Sequence, residues 1–82
     1  PQARHVVLIC SGVNLIDVSA LETLATIDEN LQAAGVRLHL AEVKGPVMDR
    51  LARAGFLEGL SGRVFLSTHA AMESLSSEKG HP

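Results

Sequence analysis

At 82 residues, with 46% hydrophobic and 20% charged side chains and a formal net charge of −2, the chain has the make-up of one small globular domain near the lower limit for an independent core. The acidic balance excludes the basic footprint of a nucleic-acid binder, and two Phe with no Tyr or Trp leave few platforms for stacking single-stranded bases. A lone Cys excludes an intramolecular disulfide or a multi-cysteine metal site and suits a reducing compartment, no apolar run approaches the roughly 20 residues that cross a bilayer, and no signal-peptide pattern is visible.

The first predicted element covers about His5 to Cys10. Val6, Leu8 and Cys10 fall on one face and Val7 and Ile9 on the other, which reads as an interior strand of a parallel sheet. Cys10 belongs to that pattern as a small core residue. From Ser19 to about Ala34, Leu21, Leu24, Ile27 and Leu31 recur at helical spacing, with Glu22, Asp28, Glu29 and Gln32 on the wet side. Gly35 follows as the helix stop. Val36 to about Val43 alternates and reads as a second strand, with His39 turned to solvent or a helix edge. Gly45-Pro46 opens a second helix, its proline tolerated in the first turn, and Gly55 ends it. Residues 56–62 form a Gly-containing connection. Val64-Phe65-Leu66 is a short third strand, and Ser67 or Thr68 caps a last helix running to about Leu75. Residues 76–82 read as a flexible polar tail, which leaves 1–75 as the domain.

The order is therefore β-α-β-α-β-α, an α/β arrangement with a mostly parallel sheet. Sequential right-handed crossovers put the helices mainly on one face. The first strand, apolar on both faces, then needs cover that these residues do not obviously supply. That points to missing N-terminal strands or a second copy.

The junction between the first strand and the first helix carries the most chemistry. Ser11-Gly12-Val13-Asn14-Leu15-Ile16 leads into Asp17-Val18-Ser19, just past the C-terminal end of a strand, where open α/β sheets bind ligands and partners. Unpaired backbone N–H groups there favour an anion or a phosphate. Ser19-Ala20-Leu21-Glu22 also fits the capping box, with Ser19 as N-cap.

These residues resemble the core motif of STAS domains, which occur as anti-sigma factor antagonists and at the cytoplasmic C-terminus of SulP-type anion transporters. The resemblance covers about residues 4–75 and implies a STAS-type fold. In the antagonists the motif is Asp-Ser-Ser/Thr-Gly, so Ser19 takes the phosphoacceptor position and Asp17 the acidic one. Val18 and Ala20 stand where Ser and Gly are usual, a departure from the kinase-regulated pattern. Asn14, Asp17, Val18 and Ala20 make up the motif and docking loop. Leu38-His39-Leu40-Ala41-Glu42-Val43-Lys44-Gly45-Pro46-Val47, Arg53-Ala54-Gly55 and Val64-Phe65 … His69-Ala70-Ala71-Met72 look like the transporter branch. STAS domains ordinarily carry further strands ahead of the one at His5, which agrees with the uncovered strand.

Other chemistry is sparse. His5, His39, His69 and His81 share no metal-ligand spacing, no phosphate loop is present, and Ser19 has no local His to act as base. No catalytic, metal or cofactor site is expected. Nucleotide binding rests only on the generic anion site at Ser19. The resemblance implies a non-enzymatic regulatory and interaction domain on the cytoplasmic side of the membrane, modulating a SulP-type sulfate or other anion transporter. Its partners would be the parent's transmembrane domain, a second copy or a cytosolic protein, without nucleic acid. The alternative is a free-standing anti-sigma factor antagonist regulated by phosphorylation at Ser19.

Overall fold

The computed structural model describes residues 4–79. They form β1 (His5–Ile9), α1 (Val18–Ala33), β2 (Arg37–Ala41), α2 (Gly45–Arg53), α3 (Phe56–Gly59), β3 (Val64–Phe65) and α4 (Thr68–Lys79). This is the expected alternation, with one added helical turn, α3, in the connection before β3. Gly35 and Gly55 take positive φ, +79° and +74°. They let the chain leave α1 for β2 and turn from α2 into α3 without the strain a side chain would bring.

The three strands are parallel and lie in the order β1-β2-β3. Leu8 stands opposite Leu40, and Leu40 opposite Val64, so strand alternation sends these residues to one face of the sheet. There Cys10, Leu40, Val47 and Leu51 form a buried aliphatic core, with Leu21, Phe56, Leu57 and Val64 packed around it. That face belongs to α1, α2 and α3.

The second face carries His39, Ala41 and Phe65, and it is covered by α4. That helix contacts β1 and β3, buries Ala71 and Leu75, and is tied to the sheet where Arg63 Nη2 donates to Ser74 Oγ at 3.1 Å. Cover for this face is thus partly supplied from within the chain, contrary to expectation. The right-handed crossover rule constrains only helices followed by another parallel strand, and no described strand follows α4. The helix also runs to Lys79, so residues 76–79 extend α4. Residues 80–82, with the remainder of the expected tail and His81, lie outside the described residues.

Three further expectations are corrected. Among the described residues β1 is an edge strand of this sheet, with Val6, Leu8 and Ile9 38–51% exposed, and the interior position belongs to β2. Two apolar faces report cover above and below a strand and carry no information about its lateral neighbours. His39 is only 1% exposed. The Arg63 N–H donates to its Nδ1 at 2.9 Å, which places the proton of the neutral ring on Nε2, facing His5 Nδ1 at 2.9 Å. Asp28 is 3% exposed. Its carboxylate accepts from the Ser61 N–H and the Ser61 hydroxyl, so a residue on the supposed wet side of α1 is an internal tether.

Candidate functional site

The C-terminal ends of parallel strands converge on the loops that follow them, and here three loops meet the solvent. After β1, Cys10 continues the ladder by donating its N–H to Ala41 O at 2.8 Å, and Val13 turns back onto Cys10 O at 3.0 Å. Val13 and Ile16 pack against the core. Between them Asn14 and Leu15 are pushed outward, Leu15 to 82% exposure. Burial raises the Cys10 thiol pKa above its ordinary value, and a backbone bond involving Ala41 offsets this only in part. The neutral thiol donates weakly to Leu8 O and serves packing rather than nucleophilic chemistry.

Asp17 caps α1. Its backbone is extended and its Oδ1 accepts from the Ala20 N–H at 2.8 Å, satisfying one orphan donor of the first turn. This displaces the expected capping box. Ser19 lies inside the first turn, where its carbonyl accepts from Thr23 Oγ1 at 3.0 Å, and the residue itself is exposed. Asp and Ser are comparable N-caps, so whichever residue the chain enters the helix on takes the role, and the packing of Ile16 brings the chain in at Asp17. Val18, the first helical residue, is 58% exposed. Ala20 is half-buried and contributes its backbone N–H to the cap.

Two residues at this end of the sheet were not singled out in the sequence. Lys44, directly ahead of Gly45-Pro46, donates its Nζ to Asn14 Oδ1, clasping the β1–α1 loop to the β2–α2 passage. Glu42 ends β2 at φ +60°, an uncommon conformation for a residue with a side chain. Its carboxylate accepts from the Thr68 N–H at 3.1 Å and from Thr68 Oγ1 at 2.6 Å. Thr68, through its hydroxyl and then its N–H, holds the Glu42 pKa below its ordinary value. Ser67 adds the N-cap expected there, accepting from the Ala70 N–H at 3.0 Å. Leu66, in the same turn, is 95% exposed.

The loops at this end of the sheet therefore expose the apolar side chains of Leu15, Val18 and Leu66, with the polar residues Asn14, Lys44, Asp17 and Ser19 beside the first two. Exposed apolar side chains held by a rigid base suit contact with another macromolecular surface. Of the histidines, His39 is bonded to His5 and to the Arg63 N–H, and His69 pairs with Glu73 at 3.5 Å on the exposed side of α4. Among the described residues no three His, Cys, Asp or Glu are grouped to hold a metal ion, and no helix is long and apolar enough to cross a membrane.

Comparison with known proteins agrees with this geometry. A sulfate transporter of Equus caballus is 28% identical over 83 aligned residues, which take in 96% of this chain but 11% of the transporter. The chain thus spans only a small part of that relative's length. The family model for the STAS domain matches residues 1–71, reaching from ahead of β1 into α4 and including the whole strand-end surface. On that match, the chain belongs to the STAS domain family.

Proposed function

We propose that this chain is the cytoplasmic STAS domain of a SulP-type anion transporter, a non-enzymatic unit that modulates transport through protein contacts. The observation that carries this reading is the near-complete alignment of the chain with a small part of a sulfate transporter. The geometry supports an interaction role: Asn14 is spent on the clasp and Asp17 and the Ala20 N–H on the cap, and the exposed apolar side chains beside them are free to meet a partner. Asn14, Asp17, Val18, Ser19 and Ala20 then shape a docking surface for the parent's transmembrane domain, a second copy or a cytosolic protein. Val18 and Ala20 in place of the Ser and Gly of the antagonist motif weigh against the kinase-switched alternative.

The test is membrane fractionation of the natural gene product, followed by sulfate uptake in proteoliposomes. The product is expected in the membrane fraction, and Leu15→Asp combined with Val18→Asp should change uptake several-fold at an unchanged protein level. A product confined to the soluble fraction overturns the transporter reading and makes incubation with a cognate kinase the next step. Unchanged uptake in the double variant removes the docking role from this loop.

A further inference from the structure

A groove of about 570 Å³ runs along the flank of α1, away from the loop Asn14–Ser19. One wall is α1 and the other is the corner where α2 turns into α3. Its apolar lining is Leu21 and Ala25 from α1 and Ala54 and Phe56 from the corner, with the carboxylate residues Glu22 and Glu29 beside them. Among the described residues no Lys, Arg or His lines it. The groove exists because α1 packs loosely: Leu21, Leu24, Ala25 and Leu31 are only half-buried, and the fully buried side chain of that helix is Asp28.

The spacing along α1 states what would fit. The lining positions Leu21, Ala25, Asp28 and Gln32 are separated by four, three and four residues, the spacing at which a helix packs against another helix, with Leu21 and Ala25 as the apolar members and the Asp28 carboxylate turned inward to Ser61. Glu22 and Glu29, both exposed, each follow a seam residue directly and lie one heptad apart. Those are the flanking positions at which helix pairs place opposite charges. Leu21 to Gln32 covers roughly 16 Å at helical rise, three turns of a partner. Ala25 and Ala54, together with Gly55 and Gly59, keep the walls low enough for a backbone to approach.

We propose that this groove is a docking site for a basic amphipathic helix of a partner protein. Apolar side chains of that helix enter between α1 and the α2–α3 corner, and Lys or Arg residues one heptad apart pair with Glu22 and Glu29. The occupant is fixed by charge complementarity: an acidic segment or an anionic lipid surface would meet two carboxylates with no cation lining the groove. The site is independent of the transporter reading and of the strand-end surface.

Binding is measured on the 82-residue chain by fluorescence anisotropy with a labelled synthetic 14-residue peptide, Leu on one face and Lys at heptad spacing beside it. A control peptide carries Glu at every Lys position. The Lys peptide should bind at least tenfold more tightly than the Glu peptide and lose affinity as salt is raised. The double variant Glu22→Gln with Glu29→Gln, at two exposed positions, should weaken binding roughly three- to tenfold, and Ala25→Arg should weaken it more by filling the groove. Equal binding of both peptides, no binding of the Lys peptide, or binding unchanged in these variants overturns the proposal. Sedimentation showing a dimer of the chain that Ala25→Arg disrupts also overturns it, by identifying a second copy as the occupant.

Discussion

Asp28 on α1 and Ser61 ahead of β3, 33 residues apart in the chain, are joined twice: one carboxylate oxygen accepts from the Ser61 hydroxyl and the other from the Ser61 N–H at 3.1 Å. The same hydroxyl oxygen accepts from the Leu38 N–H at 3.0 Å. A single serine thus connects α1, the α3–β3 turn and the start of β2, and each polar group in this half-buried network has a partner.

Removing either member leaves buried groups unpaired. Asp28→Ala is expected to cost about 2 kcal/mol, and Ser61→Ala about 2–3 kcal/mol because it also orphans the Leu38 N–H. The double variant should cost clearly less than the sum. Urea unfolding of the three variants measures this, and additive losses would show that the two residues act separately.

Gly62 is required by a close approach of backbones. A Cβ there would lie 2.3 Å from Leu38 O and 2.5 Å from His39 Nδ1, and these atoms belong to the central strand and to the imidazole held by Arg63. Gly62→Ala should therefore destabilise by about 2 kcal/mol or more through overpacking. Gly59→Ala, with nothing within 4 Å of the added carbon, should be neutral or slightly stabilising. Thermal melts of the pair compare the same chemical change in two surroundings.

The N-terminus of α1 separates two residues that look alike in the sequence. Asp17 accepts from the Ala20 N–H, so Asp17→Ala should cost about 1 kcal/mol while Asp17→Asn retains most of the stability. Ser19→Ala should stay within about 0.5 kcal/mol of the parent. A loss at Ser19 as large as at Asp17 would restore the serine as the cap.

Acid should weaken the junction between β2 and α4. Hydrogen bonds from Thr68 lower the Glu42 pKa in the folded state, so the folded protein binds this proton less readily than the unfolded chain. The resulting stabilisation is complete above the ordinary carboxyl value of 4.5 and is lost as pH falls through the lower folded value. The stability difference between the parent and Glu42→Gln should therefore shrink below that pH and stay constant above it. Melts from about pH 3 to pH 6 read the difference directly, and a gap that widens on acidification would contradict the assignment.

The alternation of strands and helices was legible in the residues because it depends on local properties: hydrophobic period, Gly35 and Gly55 as stops, Pro46 at a helix start. The position of the β1–α1 junction was legible too, since a parallel β-α-β unit delivers its loop to that end of the sheet; Asn14 and Asp17 lie in that loop, and Val18, Ser19 and Ala20 open α1 directly after it. Tertiary structure decided the rest. Asp28 and His39 sit at positions whose spacing suggested solvent, and they are buried because Ser61, His5 and Arg63, distant in the chain, supply the hydrogen bonds that make burial tolerable. The place of β1 at the edge, the cover given by α4 and the clasp of Lys44 on Asn14 likewise follow from which elements become neighbours. Periodicity encodes which face of an element is apolar, and only packing determines what that face, or a polar group on it, will meet.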